Sequence, residues 1–241
     1  MNDIYSVKEI FYTLQGEGAQ SGRPAIFCRF SKCNLWNGRE SDRENAICKF
    51  CDTDFVGTDG QNGGKYGEQE LISIILSLWP TDIGNNVFLV CTGGEPALQL
   101  NQRLLDAFHD AEFEVAIETN GTLPLPRGLD WVCVSPKGGS EVVIQECDEL
   151  KLAFPQVDNS PEDFNHVKAN YRYLTPIAPP KINDILVPSH ESNTRLVIEY
   201  CLNNPDWRLN LQTHKVVGFL DEDKTLENTI IMGLRVCDIQ E

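Results

Sequence analysis

The stretch Val87-Phe88-Leu89-Val90-Cys91-Thr92-Gly93-Gly94-Glu95-Pro96 passes directly from an apolar run into a polar turn. An apolar run without alternation is typical of a strand that is buried on both faces. Residues 100–112 follow, where Leu104, Leu105 and Phe108 fall on one face of a helix. A strand, a polar turn and an amphipathic helix in this order indicate one unit of a parallel sheet covered by helices.

The same alternation of apolar runs and amphipathic stretches continues on both sides of this unit. Further strands are predicted at 25–30, 114–117, 131–134, 150–153, 171–174 and 208–211. Further helices are predicted at 68–79, with an apolar face of Leu71, Ile74, Ile75 and Leu78, and at 194–203, with a face of Leu196, Val197 and Cys201. Six or seven strands are too few for a closed barrel of eight. The sequence therefore predicts an α/β fold, either a partial barrel or a doubly wound sheet.

The composition is that of a globular protein, and its net charge makes a small-molecule substrate the better expectation. The 241 residues allow one large domain or two small ones, with 41% apolar and 23% charged residues. A net charge of −16 disfavours nucleic acid and anionic membranes as partners, because both attract clusters of Lys and Arg. No apolar run approaches the length of a membrane span, and residues 1–8 carry no export signal, so a cytoplasmic location is expected.

Three of the nine cysteines form a run, Cys33, Cys48 and Cys51, with gaps of fourteen and two residues. A structural zinc site needs four ligands, whereas three thiolates on an iron–sulfur cluster leave one iron open for a ligand from solution. Zinc with a distant fourth ligand, such as His109 or His214, stays an alternative on spacing alone. The other six are interpreted as core residues: Cys28, Cys91, Cys133, Cys147, Cys201 and Cys237.

Polar residues follow several of the predicted strands at the point where each strand ends. They occur at 92–96, 118–121, 135–137 and 212–215. Because the carboxyl ends of parallel strands meet at one edge of the sheet, these turns predict a shared rim for a polar ligand. An open iron there could bind the amino and carboxylate groups of S-adenosylmethionine. Glu95 could then accept from its ammonium group, and Phe50 could lie against its adenine ring.

These motifs resemble the radical S-adenosylmethionine superfamily, although fourteen residues in the first cysteine gap depart from its usual spacing. The wider pattern is similar to the 7-carboxy-7-deazaguanine synthase family, a subgroup of which has the lengthened gap. The segments that carry this resemblance are 8–18, 51–54, 92–96, 118–121, 135–137 and 211–215. It extends over about residues 4–218.

The resemblance implies a fold, a reaction and a set of cofactors. The fold is a partial, incomplete parallel β/α barrel of the radical S-adenosylmethionine type at 1–218, followed by a C-terminal extension of unknown role at 219–241. The reaction converts 6-carboxy-5,6,7,8-tetrahydropterin to 7-carboxy-7-deazaguanine with loss of ammonia, towards deazapurines such as queuosine. The cofactors are a [4Fe-4S] cluster, S-adenosylmethionine and Mg²⁺. An external electron donor, such as flavodoxin or ferredoxin, and a homodimer are also expected.

The resemblance also assigns roles to individual residues. The cluster ligands are Cys33, Cys48 and Cys51. Contacts to S-adenosylmethionine are expected from Phe50, Asp52, Gly94, Glu95, Glu118, Ser135 and Lys137. Contacts to the pterin are expected from Gln15, Glu17, Arg29, Thr92 and His214, and a Mg²⁺ contact from Thr53. Glu17 matches the two N–H donors on the pyrimidine edge, and Arg29 suits the substrate carboxylate. No side chain is expected to initiate the radical, because that chemistry belongs to the cofactor.

Two departures from the family pattern and two other functions stay open. Thr175 stands near the position of a cofactor-binding Gln, so that contact is either missing or replaced. The tail at 219–241 puts any role of the chain terminus in doubt. A glycyl-radical-enzyme activase would share the cysteines and the Gly-Gly-Glu turn, with less need of Glu17 or Arg29. A non-catalytic zinc or redox-sensing module would need no polar rim.

Overall fold

The computed structural model describes residues 3–80, 86–177 and 189–216. Its strands are β1 Tyr5–Leu14, β2 Pro24–Phe30, β3 Gly64–Tyr66, β4 Phe88–Gly93, β5 Glu114–Thr119, β6 Trp131–Val134, β7 Glu146–Phe154, β8 Lys168–Pro176 and β9 Arg208–Leu209. Its α-helices are α1 Glu68–Leu78, α2 Gln102–Asp110, α3 Ser189–Asn203 and α4 Thr213–Val216. The predicted tail and Cys237 lie outside the described residues.

The strands form one sheet in the order β3-β1-β2-β4-β5-β6-β7-β8-β9. All seven predicted runs are confirmed as strands, and from β2 through β4 to β9 each pairs with the next in parallel. The sheet has two free ends among the described residues and is not closed, so the predicted partial barrel is confirmed. One strand before 25–30 was not predicted. β1 precedes it and pairs antiparallel with β2 and β3; its apolar pattern is interrupted by Lys8 and Glu9.

The helices begin where the local sequence provides a start signal. The Asn101 side chain accepts a hydrogen bond from the Leu104 amide at 3.0 Å and so caps α2. Leu104, Leu105 and Phe108 are buried as predicted. α1 begins with acidic residues in its first turn, which suit the positive end of the helix dipole, and ends just before Pro80.

The predicted apolar faces of the other helices need correction. α1 buries Leu71, Ile72 and Ile75, whereas Ile74 is only partly buried. In α3, Val197 is buried but Leu196 is 45% exposed, so the predicted face is wrong at that position. Adjacent residues on a helix point about 100° apart, so Leu196 cannot share the buried side that Val197 occupies.

The inner face of the sheet changes from apolar to polar along the strands. Phe88 and Val90 in β4, Ala116 in β5 and Trp131 in β6 belong to one inner core cluster with Phe11 and Phe27. The next inward positions towards the carboxyl ends are Thr92, Glu118 and Cys133. Because side chains alternate between faces, the interior is filled by hydrocarbon at one end and lined by polar groups at the other. That polar end positions the candidate site.

Outside the sheet, α1 and α2 pack against residues such as Ile26, Leu89 and Ile117. Cys28, Cys91, Cys133 and Cys147 are buried and Cys201 is half-buried, which agrees with their interpretation as core residues. Within the described ranges, no helix is both long enough and apolar enough to cross a bilayer.

Candidate active site

The long gap in the cysteine motif closes in space through a loop. After Cys33, the residues Glu40–Asn45 form a short 3-10 helix, and the chain then returns so that the amides of Ile47 and Cys48 both donate to the Leu35 carbonyl, at 3.1 and 3.4 Å. Arg43 stacks on Trp36 at 4.1 Å and donates to the carbonyl of Cys51 at 3.0 Å. The fourteen intervening residues therefore form a loop that returns Cys48 beside the segment that carries Cys33.

The three thiols act on one another electrostatically. A hydrogen bond from Cys48 lowers the pKa of Cys51 to about 6 although burial opposes this shift, and the same bond with burial raises the pKa of Cys48. Burial raises the pKa of Cys33, and Cys51 adds to this increase. The ammonium of Lys137 favours the thiolate form of both Cys48 and Cys51. Thiolate is the form that binds metal, so the donor set suits a cluster held by three cysteines.

The described residues contain no group of three His, Cys, Asp or Glu side chains that is already arranged around a single metal ion. The distances that a single zinc ion would require are therefore not preformed in the described ranges.

The Gly93-Gly94 turn is pressed against the chain that leads to Cys33. Gly93 has a φ of 125°, and a Cβ there would lie 2.2 Å from the Phe30 carbonyl oxygen. A Cβ on Gly94 would lie 2.0 Å from the Lys32 carbonyl oxygen. Only glycine fits at either position. The two glycines thus allow this turn to pack closely against the protein's own backbone.

Glu95 is fully buried and fastens this turn to the end of β5. Its Oε1 accepts from the Ala97 amide at 2.9 Å and from Thr119 Oγ1 at 2.7 Å. Its Oε2 accepts from the Asn120 amide at 2.8 Å. Burial raises the pKa of this carboxyl although these hydrogen bonds oppose the shift. The predicted contact to S-adenosylmethionine stays a prediction, and the observed contacts are structural.

A hydrogen-bonded network fills the polar end of the interior. Glu118 accepts from Gln15 Nε2 at 3.1 Å, from Thr92 Oγ1 at 3.3 Å and from Lys151 Nζ at 3.3 Å. Lys151 Nζ also lies 2.8 Å from Glu17 Oε2. Three predicted substrate contacts, Gln15, Glu17 and Thr92, therefore lie within one network with Glu118, which was assigned to the cofactor.

The remaining predicted residues lie around this network. Lys137 Nζ donates to Ser135 Oγ at 2.7 Å and lies 5.9 Å from the centre of the Phe50 ring. These three residues thus form one group beside the cysteines. In the parallel pairing of β2 with β4, Arg29 lies opposite Thr92. Its Nε donates a hydrogen bond to Glu9 Oε1 at 2.8 Å.

Two further predicted residues, Asp52 and Thr53, directly follow Cys51 along the chain. Asp52 is exposed and pairs with Lys215 at 2.9 Å. Thr53 follows it and is half-buried; its carbonyl oxygen is 3.9 Å from Cys51 Sγ. The predicted contact of the Thr53 hydroxyl with Mg²⁺ stays a prediction.

Comparison with known proteins places this arrangement in a family. No model of a protein family matches the chain. A 7-carboxy-7-deazaguanine synthase of Bordetella pertussis is 54% identical over 215 residues, which cover 89% of this chain and 98% of the relative. This chain belongs to the 7-carboxy-7-deazaguanine synthase family. The synthase of Burkholderia multivorans is 52% identical with the same coverage. The crystal structure of QueE from Escherichia coli matches with a TM-score of 0.64 and 29% identity, over 88% of this chain and 95% of that one.

Membership of the 7-carboxy-7-deazaguanine synthase family confirms the resemblance predicted from the motifs, and with it the expectation of an enzyme. Neither the activase nor the zinc module is favoured. Thr175 stands where the sequence departs from the family pattern, and Thr175 Oγ1 accepts a hydrogen bond from Asn210 Nδ2 at 2.8 Å. Thr175 is therefore engaged by the end of the sheet, and its replacement of a cofactor-binding Gln stays a prediction.

In this member of the 7-carboxy-7-deazaguanine synthase family, the loop that carries Glu17 is fixed by residues that sequence reasoning left without a role. Glu149 Oε2 accepts from the Ala19 amide at 2.9 Å, and Asn210 Oδ1 accepts from the Gly18 amide at 2.8 Å. Gln212 Nε2 donates to Glu17 Oε1 at 2.7 Å. A carboxylate in β7, such as Glu149, is the one signal that the sequence offered, because buried strands rarely carry charge.

Helix α4 packs against the same loop. Both the amide and the hydroxyl of Thr213 donate to the Gly16 carbonyl, at 3.0 and 2.8 Å. His214 packs directly on Gly16, since a Cβ there would lie 2.4 Å from His214 Nδ1. The structure thus brings His214 to the loop of Glu17, as a shared substrate site requires.

Replacing Gly18 with alanine is expected to destabilise the protein and displace Glu17. Gly18 has a φ of 68°, and an added Cβ would lie 2.1 Å from Glu149 Oε1. Gly22 has a φ of 88° but no atom within 4 Å of an added Cβ, so Gly22→Ala controls for backbone strain alone. We expect thermal unfolding to show a loss for Gly18→Ala that is larger than for Gly22→Ala by about 1–3 kcal/mol. Equal losses would contradict the close contact with Glu149.

Proposed function

We propose that this chain converts 6-carboxy-5,6,7,8-tetrahydropterin to 7-carboxy-7-deazaguanine with loss of ammonia. The observation that carries this proposal is the Glu17 carboxylate, which is only 18% exposed and is held in the hydrogen-bonded network at the polar end of the interior. A carboxylate with two acceptor oxygens matches the paired N–H donors on the pyrimidine edge of a pterin. Arg29, in the same inner row as Thr92, is suited to the carboxylate of the substrate.

The cofactors proposed are a [4Fe-4S] cluster held by Cys33, Cys48 and Cys51, together with S-adenosylmethionine. The residues suit such a cluster because the Cys48 and Cys51 thiols share a hydrogen bond, and Cys33 lies close enough to Cys51 for the charge of Cys51 to raise its pKa. When bound, these cofactors supply a radical that removes a hydrogen atom from the substrate. The chain's own part is to bind and orient the two organic molecules. S-adenosylmethionine is expected to contact Phe50, Asp52, Gly94, Glu95, Glu118, Ser135 and Lys137.

The further elements of the proposal concern ions, partners and location. Thr53 supplies a hard hydroxyl oxygen to Mg²⁺, which also keeps waters and binds through its substrate. Flavodoxin or ferredoxin donates the electron, the protein acts as a homodimer, and it works in the cytoplasm. Gln15, Thr92 and His214 complete the pterin contacts.

Anaerobic reconstitution with iron and sulfide tests the proposal. We expect four irons per chain, as the three-thiolate cluster requires, and an EPR signal of the reduced protein that shifts when S-adenosylmethionine is added. Incubation with the carboxytetrahydropterin and Mg²⁺ should then give 7-carboxy-7-deazaguanine, detected by mass spectrometry. Zinc alone in metal analysis would overturn the cofactor assignment. Formation of 5′-deoxyadenosine without the deazaguanine would overturn the substrate assignment and leave the cofactors standing.

A further inference from the structure

Lys151 is a buried cation in the middle of the sheet that the proposed reaction does not use. It lies in β7 between Leu150 and Leu152, both fully buried in the core that packs outside the sheet. Because side chains alternate along a strand, Lys151 points the other way, into the interior. Its side chain is only 8% exposed. A buried ammonium is costly unless it is paired and hydrogen-bonded, so the contacts of Lys151 are informative.

The Lys151 ammonium joins two carboxylates that come from separate parts of the chain. It lies 2.8 Å from Glu17 Oε2 and 3.3 Å from Glu118 Oε1. Glu17 stands in the loop after β1, whereas Glu118 stands near the end of β5. No hydrogen bond or ion pair between Glu17 and Glu118 is possible while both are ionised, since both only accept. Lys151 thus supplies a positive charge that pairs with both carboxylates and holds them near each other.

Several titratable groups face this ammonium from the surrounding elements. They are Glu17 before β2, Glu118 on β5, Cys133 on β6 and Glu149 on β7, with His214 on α4 acting on Glu17. Burial opposes the charge of Lys151, but these acidic neighbours raise its pKa well above the ordinary value. Burial would also raise the pKa of Glu17, yet the charge and hydrogen bond of Lys151, with Gln212 and His214, lower it to about 2.

We propose that Lys151 is a positioning residue that holds the Glu17 and Glu118 carboxylates in one fixed arrangement before the pterin binds. This inference rests on the proposed function, in which Glu17 receives the N–H donors of the pterin. Lys151 does not itself contact substrate in this proposal. Its charge keeps Glu17 in the acceptor-only state, and its position couples the pterin side of the site to the side assigned to S-adenosylmethionine.

Removing Lys151 is expected to weaken pterin binding at low pH. Without the ammonium, burial dominates at Glu17 and its pKa rises. As the pH falls through that raised pKa, Glu17 becomes a carboxylic acid that presents an O–H donor where a pterin N–H needs an acceptor. Pterin binding is therefore lost towards acid in the variant, by up to about tenfold for each unit of pH. The wild type keeps its carboxylate throughout, because its pKa of about 2 lies far below this range.

The test compares pterin binding by Lys151→Met, Lys151→Arg and the wild type. Each reconstituted protein is titrated calorimetrically with the carboxytetrahydropterin, in the presence of S-adenosylmethionine and Mg²⁺, from about pH 8 to about pH 6. Lys168→Met is the matched control, because Lys168 also pairs with a glutamate, Glu146, but is 77% exposed. We expect a new loss of affinity towards acid in Lys151→Met alone, with the profile restored by Lys151→Arg.

The outcomes separate this inference from the proposed function. A wild type that does not bind the pterin overturns the proposed function. A wild type that binds, with a Lys151→Met profile parallel to it, overturns the positioning role alone. If Lys151→Met does not fold, as judged by near-ultraviolet circular dichroism, Lys151→Arg decides. The arginine charge should keep the wild-type pH profile of pterin affinity. A loss of affinity towards acid in Lys151→Arg that the wild type does not show overturns the inference.

Discussion

Replacing Cys51 with serine is expected to abolish both iron binding and product formation. Cys51 is the thiol of the cysteine group with the lowered pKa, about 6, and a serine hydroxyl does not ionise in the neutral range. Loss of Cys51 leaves only two thiolates to hold the cluster. The fall in turnover should exceed the roughly 10- to 100-fold loss that is typical when residues only support a ligand. Iron and sulfide analysis after anaerobic reconstitution, with the visible absorption of the protein, measures the effect.

Cys201→Ser is the matched control for this experiment. Cys201 is a half-buried thiol on α3, remote in sequence from the cysteine loop, and packs against the outer core. We expect it to bind iron as the wild type does. A Cys51→Ser protein that retained the full iron content would show that the three-cysteine assignment is wrong.

Replacing Glu17 with glutamine is expected to weaken pterin binding by at least about 100-fold, because two charge-assisted hydrogen bonds at about 1.5–3 kcal/mol each are lost. The amide also offers donors where the pterin N–H groups need acceptors. Iron content and the EPR shift on adding S-adenosylmethionine should not change, because Glu17 is not among the cofactor contacts. Calorimetric titration with the carboxytetrahydropterin measures the loss directly.

Glu70→Gln provides the same chemical change at an exposed position of α1. It should bind the pterin with wild-type affinity. If Glu17→Gln also bound the pterin normally, recognition of the pyrimidine edge would have to be assigned to another group. If it instead lost its cluster, Glu17 would be a structural residue of the cysteine loop.

The sequence predicted the parallel part of the fold well because that signal is local. Apolar runs without alternation mark the buried strands, and each of the seven runs is a strand in the structure. β1 was missed because Lys8 and Glu9 interrupt its pattern. The burial of Lys8 depends on partners in the loop at 54–59, where it pairs with Asp54 and Asp59. Those contacts cross about fifty residues of chain, beyond the reach of any local pattern.

By itself the sequence determined the seven parallel strands, the polar rim at their carboxyl ends, the three cysteines and the family. All of these depend on residue type and on spacing along the chain. Tertiary structure alone decided three other features: the closure of the long cysteine gap on the Leu35 carbonyl, the structural use of Glu95 and the pairing of Lys151 with Glu17 and Glu118. Each of these needs atoms from strands and loops that are distant in sequence. Their energies arise from burial and from the match of donor to acceptor, which exist only once the sheet has assembled.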